Sequence, residues 1–130
     1  MFSIEMSVRD YELDMQGIVN NGVYFNYLEH ARHAFLKHSG IDFAALTKAG
    51  IHLVVIRSEL DYKASLQSGD RFRVEVALER MSKVKFGFRQ RVVRLKDEKL
   101  CLSGLVIGTA LNERGRPYIS AELAALFHND

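Results

Sequence analysis

The stretch from 21 to 38, NGVYFNYLEHARHAFLKH, settles the architecture. Tyr24, Tyr27, Leu28, Ala31, Ala34 and Phe35 recur at spacings of three and four, so they form one apolar stripe along a helix. A helix over 21–38 is about 27 Å long. Asn20 is placed to cap its start, and Ser39-Gly40 supplies the left-handed residue that commonly ends a helix. Such a stripe has to be buried against a second layer of structure.

Working outward, the rest of the chain supplies that layer as a sheet. Residues 2–9 alternate strictly, Phe2, Ile4, Met6 and Val8 on one side and Ser3, Glu5, Ser7 and Arg9 on the other, which is the period of a half-buried strand. After the long helix a short one is predicted over 42–48, capped by Asp42 and stopped by Gly50. Four strand-like segments follow, 52–63, 71–82, 84–96 and 99–111, separated by turns at 67–70, 97–98 and 112–117. A closing helix is predicted over 120–128. The order predicts an α+β fold, one long helix against a five-stranded antiparallel sheet. One sheet face is then left without cover, which points to a homo-oligomer.

The composition agrees with one ordinary globular domain spanning 1–130. Hydrophobic residues make up 48% and charged residues 26%, with no repeat, which excludes a disordered, collagen-like or solenoid chain. The lone Cys101 has no partner for a disulfide or a shared zinc, so a reducing cytoplasm suits the chain. No apolar run approaches the ~18 residues of a membrane span, and the start, MFSIEMSVRD, lacks the pattern of a signal peptide. The net charge of +2 is too small to argue for nucleic acid or a membrane as a partner. Its distribution is uneven: Arg80, Lys83, Lys85, Arg89, Arg91, Arg94 and Lys96 fall in a stretch without one acidic residue.

The string from 8 to 27, VRDYELDMQGIVNNGVYFNY, packs Asp14, Gly17, Asn20 and Asn21 just before the long helix. It resembles the hot-dog-fold thioesterases of the 4-hydroxybenzoyl-CoA type, whose hallmark is an Asp, two residues, a Gly and a short step to the start of the central helix. The fuller string, with Arg9 to Asp14 and then Val19-Asn20-Asn21, is similar to the branch holding plant acyl-lipid thioesterases and the methylketone-pathway thioesterase, which act on acyl carrier protein thioesters. The likeness runs along the chain, including Val55-Ile56-Arg57-Ser58 and the turn at 66–70.

The resemblance implies a hot-dog fold, a sheet wrapped around one central helix, and an acyl thioesterase acting on acyl-CoA or acyl-carrier-protein thioesters without metal or redox cofactor. It implies a dimer or dimer of dimers, with the site at the subunit interface. Thioester hydrolysis needs a group that attacks the carbonyl or activates water, and a donor that meets the developing oxyanion. Asp14 matches the family's carboxylate, as nucleophile or general base. Asn21 matches the position whose backbone N–H polarises the thioester oxygen. Substrate contacts are implied at Gly17, Tyr24, Ser58, Lys83 and Lys85, the lysines toward phosphates and Arg89 and Arg91 toward an acidic carrier protein.

Plainer readings stand beside these. Asp14 and Gly17 suit a turn, Asn20 a cap, Tyr24 and Tyr27 the core, and the basic strip a solvated strand face. Glu29, His30 and His33 in EHARH have the wrong spacing for a metal helix; Glu29, His33 and Lys37 fit a solvated ion-pair row, with Glu29 as a substitute catalytic carboxylate. Cys101 reads as a small buried hydrophobe. Two rivals are a non-catalytic acyl-thioester-binding module and a hot-dog hydratase, but a hydratase needs a His with a carboxylate, and the first His is His30. A sheet that binds nucleic acid is disfavoured by Phe86 and Phe88, whose alternation turns them toward the core.

Overall fold

The computed structural model describes residues 1–129. The N-terminal alternation becomes strand β1 (Phe2–Ser7), half-buried and exposed by turns along its whole length. A single 3-10 turn, Asp10–Glu12, leads into a loop and then helix α1 (Val23–His38). Helix α2 (Phe43–Lys48) starts where Asp42 accepts a hydrogen bond from the Ala45 N–H at 3.1 Å. Strands β2 (His52–Tyr62), β3 (Arg71–Arg80), β4 (Phe86–Arg94) and β5 (Lys99–Leu111) follow, then a two-residue strand β6 (Pro117–Tyr118) and one helical turn, α3 (Ala121–Ala124).

All pairings are antiparallel, in the order β1-β3-β4-β5-β2, with β6 added to the end of β5. The sheet curls around α1, which packs chiefly on β3 and β1. The helix stripe meets the inner sheet face as its spacing requires. Tyr27 stacks on Phe72 with ring centroids 4.7 Å apart, and Phe35 meets both Phe2 and Phe88 edge-on. Leu28, Ala31, Val74, Val92 and Leu102 are sealed between the layers. Because α1 lies toward β1, the opposite edge strand β2 is exposed over most of its length, and a bulge at Ile56 interrupts its pairing with β5. No helix among the described residues is long and apolar enough to cross a membrane.

Strands β1 to β4 end one or two residues earlier than the sequence reading has them, and four further differences each have a local reason. Helix α1 begins at Val23 because Asn20 turns its Oδ1 onto the Gly22 N–H (2.9 Å) and its carbonyl onto the Val23 N–H (2.9 Å), spending 20–22 on a turn. Strand β4 begins at Phe86, since Ser82 Oγ accepts from Val84 and Lys85 and folds 81–85 into a turn. The sheet has a sixth strand: Asn112 Oδ1 accepts from the N–H groups of Arg114 and Arg116, closing a hairpin that returns Pro117 and Tyr118 to β5. The closing helix shortens to α3 because Leu126 and Phe127 bond three residues back, and the His128 N–H goes to the Leu78 carbonyl of β3 (3.0 Å).

Candidate active site

The loop between β1 and α1 is tied down at its base by a buried carboxylate. Glu12 is 8% exposed, and its Oε1 accepts from the Arg9 N–H (2.8 Å) and from the Tyr27 hydroxyl on α1 (2.7 Å). Burial first, and the neighbouring carboxylate second, hold the Tyr27 phenol far above its ordinary pKa, so it stays a donor. The Glu12 carbonyl accepts from the Asn20 N–H (2.9 Å), joining the two ends of the loop. Leu13 bridges to Val19 and Ile18 to Gln67, while the Val19 N–H reaches the Leu66 carbonyl at 2.9 Å.

Asp14 sits on this frame two residues after Glu12. Its N–H donates to the Ile18 carbonyl (2.8 Å), and its Oδ1 accepts from the N–H groups of Gln16 (2.8 Å) and Ile18 (3.5 Å). The turn reading of Asp14 is therefore realised, yet it employs Oδ1. Gly17 closes the turn at φ +79°, a left-handed conformation that residues with a Cβ rarely adopt. Across the loop, the Asn21 carbonyl accepts from the Tyr62 hydroxyl at the end of β2 (3.1 Å). Among the described residues the Asn21 N–H donates to no protein acceptor.

Asp14, Asn21 and Tyr24 line one cleft of about 360 Å³ with Tyr62, Lys63 and Ser65. Tyr24 forms its buried wall, edge-on to Tyr62 at 5.5 Å, and burial pushes its phenol up to about 12 while the Leu66 backbone works the other way. Tyr62, Lys63 and Ser65 escape sequence reading because they arrive from a strand some forty residues downstream. Glu12 escapes it because its partner Tyr27 stands fifteen residues away.

The other predicted site residues stand apart. Gly17 is in the turn and does not line the cleft. Ser58 lies midway along β2, opposite the buried Val106, and so faces the inner side of the sheet. Lys83 and Lys85 sit in the β3–β4 turn, whereas the cleft lies at the Arg94 end of β4, where Arg94 Nη1 donates to the Ser65 carbonyl (2.7 Å). Along an extended strand, Lys85 and Arg94 are roughly 30 Å apart. The basic strip finds acidic partners: Arg89 with Glu79 (2.7 Å) and Arg91 with Glu75 (2.9 Å) across to β3, Arg94 with Asp97 (2.7 Å) in the turn after β4, and Lys96 with Asp70 (3.4 Å) just before β3. Glu29 and His33 of the EHARH motif line a different cavity, and among the described residues no three His, Cys, Asp or Glu side chains converge as a metal site.

Comparison with known proteins joins these features to one family. The sequence model of the Thioesterase-like superfamily matches residues 8–127. An acyl-acyl carrier protein thioesterase, chloroplastic, from Arabidopsis thaliana is 36% identical over 114 residues, covering 88% of this chain and 61% of the relative. The chain thus spans about three fifths of the length of that relative. A long-chain acyl-CoA thioesterase from Escherichia coli is 30% identical over 107 residues, covering 82% of this chain and 76% of the relative. A hypothetical protein from Aquifex aeolicus superposes with a TM-score of 0.88 at 27% identity, covering 98% of this chain and 99% of that one. From the Asp14 loop to the C-terminal turn, this chain belongs to the thioesterase-like superfamily and is built on the hot-dog fold.

Proposed function

We propose that the protein hydrolyses acyl thioesters, with Asp14 as the catalytic carboxylate and the Asn21 N–H as the oxyanion donor. The observation that carries this reading is that the Asp14 carboxylate and the Asn21 backbone line one cleft, on a loop braced by Glu12. With Oδ1 engaged by the loop, Oδ2 is the oxygen for chemistry. As general base it takes a proton from water, whose oxygen attacks the thioester carbonyl carbon. As nucleophile it attacks that carbon itself, the C–S bond breaks to leave a mixed anhydride and a thiolate, and water then cleaves the anhydride to release the acid and restore Asp14. In both routes negative charge develops on the carbonyl oxygen beside the Asn21 N–H at the start of α1, where the helix dipole favours it. In the general-base route the C–S bond breaks as that charge collapses; in both routes the thiolate takes up a proton that came from the water, and a free carboxylic acid remains.

Relatives named for acyl carrier protein and for CoA thioesters support a carrier of one of these kinds, and a place in fatty acid metabolism. We read the working unit as a dimer or dimer of dimers in the cytoplasm. The support for association is the long edge strand β2, where Val55 and Ile56 are 53% and 49% exposed; an unpaired apolar edge is a ready partner for a second copy. We read Lys83 and Lys85 as serving the site of a neighbouring copy, because they stand roughly 30 Å along β4 from the Arg94 end where the cleft lies. No His lines the Asp14 cleft among the described residues, so nothing there favours a hydratase.

The test is Asp14→Asn, assayed on acyl-CoA and acyl-carrier-protein thioesters. Turnover should fall at least about 100-fold with melting temperature unchanged, the lower end for a positioned acid-base group. A folded variant with near-wild-type turnover would remove Asp14 from the chemistry and bring Glu29 forward.

A further inference from the structure

Helix α1 lies over β3 and β1 and leaves a gap beside the edge strand β2. The Asp14 cleft opens at one end of this gap, between Tyr24 and Tyr62. At the other end a second cavity of about 360 Å³ lies between α1, α2 and the first half of β2, floored by Leu36, Leu46, Leu53, Phe86 and Phe88. Phe25, Glu29 and Arg32 share one helix stripe by their spacings of four and three, and Phe25 is 46% exposed although apolar. On the strand side Ser58 and Leu60 face inward between the two cavities. From Tyr24 to Arg32 the helix advances about 12 Å. The two cavities thus lie along the same gap, about 12 Å apart along the helix, with Glu29 and Ser58 among the side chains between them.

Arg32 is out of keeping with its surroundings. Its half-buried guanidinium donates from Nη1 to Gln90 Oε1 (3.1 Å) and lies 6.0 Å from the Phe88 ring centre. Gln90 is buried and held by its own bond from Nε2 to the Leu28 carbonyl (3.0 Å), so the amide oxygen that faces Arg32 is fixed. Arg73, Arg89, Arg91 and Arg94 each have a carboxylate partner, whereas among the described residues Arg32 has none. Burial weakens its hold on its proton, an effect Glu29 only partly opposes. A guanidinium has five N–H donors, and the Gln90 oxygen takes one. Glu29, His33, Thr47 and His52 also line the cavity, yet the Arg32 charge is half-buried beside the Phe88 ring, and an oxygen acceptor entering the cavity offsets the cost of that burial.

We propose that this cavity takes the distal part of the acyl group, and that Arg32 selects acyl groups carrying an oxygen acceptor there, a hydroxyl, carbonyl or carboxylate, over plain hydrocarbon chains of equal length. The inference rests on the thioesterase reading and adds a substrate class to it. A plain chain strips water from the guanidinium and returns no hydrogen bond, which makes the discrimination one of unpaired polar groups rather than of size.

Matched pairs of acyl-CoA thioesters test this, each straight medium or long chain against the same chain ending in a hydroxyl or carboxyl. In the wild type the oxygenated member should have a kcat/KM at least about 10-fold higher, equivalent to about 1.4 kcal/mol. Arg32→Met should abolish that ratio by lowering kcat/KM for the oxygenated member of each pair more than for its plain partner. Because Arg32 also ties α1 to Gln90, a second arm uses the wild type alone: thermal-shift titration with an n-alkyl-CoA thioether, which cannot be hydrolysed, and its counterpart of the same length ending in a carboxyl. The carboxyl-ended thioether should bind at least about 10-fold more tightly. Equal rates and equal binding within pairs, or an undiminished preference in folded Arg32→Met, would overturn the role of Arg32. Hydrolysis of no thioester at all would instead overturn the thioesterase reading, and the thioether arm would still decide Arg32.

Discussion

Glu12 and Tyr27 show how much of the Asp14 geometry is held from below. The Tyr27 hydroxyl donates to a buried carboxylate that also anchors the Arg9 N–H, so Tyr27→Phe leaves that carboxylate short of one of its donors. A hydrogen bond to a charged group contributes about 1.5–3 kcal/mol, and urea denaturation of Tyr27→Phe should show a loss in that range. The same variant should lower kcat more than it raises KM, because a looser loop misplaces Asp14 and Asn21 without removing any substrate contact. Tyr24 contributes a pH dependence of definite sign. Its phenol is raised from 10.0 to about 12 in the fold, so the native state favours the neutral form. The stability from this preference is complete below pH ~10 and declines as pH rises toward ~12, since the unfolded chain ionises first. Denaturant midpoints measured across that window should fall for the wild type and fall less for Tyr24→Phe.

At the scale of elements, the Asp14–Ile18 turn separates backbone need from substrate contact. A Cβ on Gly17 would meet nothing within 4 Å, so the left-handed φ of +79° alone opposes a side chain there. Gly17→Ala should therefore cost about 1–2 kcal/mol, the penalty for one residue with a Cβ in that conformation, with KM unchanged. A KM rise out of proportion to the lost stability, read by steady-state kinetics beside thermal melting, would assign Gly17 to the substrate path instead. Strand β4 shows a second division of labour. Phe86 and Phe88 face the helix, while Arg89 and Arg91 face outward onto Glu79 and Glu75 of β3, so the strip without acidic residues is neutralised by the neighbouring strand. Exposed pairs of this kind contribute little individually, and they leave Lys83 and Lys85 in the turn as the better phosphate candidates.

For the whole molecule, the open β2 edge and the distance between the lysine turn and Asp14 point to the same arrangement. Val55→Lys combined with Ile56→Lys puts two charges on the exposed edge and should shift the protein to monomers in light scattering, with activity falling in step. A fully active monomer would sink the shared site. Lys83→Ala with Lys85→Ala should raise KM and leave kcat nearly unchanged, because phosphate contacts are equal in ground and transition states. The wild-type KM should also rise with ionic strength, and the double variant's should rise less. If the lysines serve the neighbour's site as proposed, their substitution on the β2-edge background should have no further effect on KM.

The sequence by itself determined the elements that follow from local periodicity and local caps. The helix stripe from Tyr24 to Phe35, the alternation in β1, β3 and β4, the Asp42 cap and the Asp14–Gly17 turn each depend on neighbours a few residues away, and each stands in the structure close to where the pattern put it. Asp14 and Asn21 were singled out by the likeness of the 8–27 string to a known family rather than by any local period, and the structure sets both on the lining of one cleft. Only the tertiary structure decided what distant segments bring to one place: Tyr62 and Lys63 beside Asp14, Tyr27 beneath Glu12, Glu75 and Glu79 against the basic strip, and Arg32 beside Gln90. Those meetings follow from strand order and register, which depend on how α1 buries its stripe across the whole sheet, and no short window of sequence carries that information.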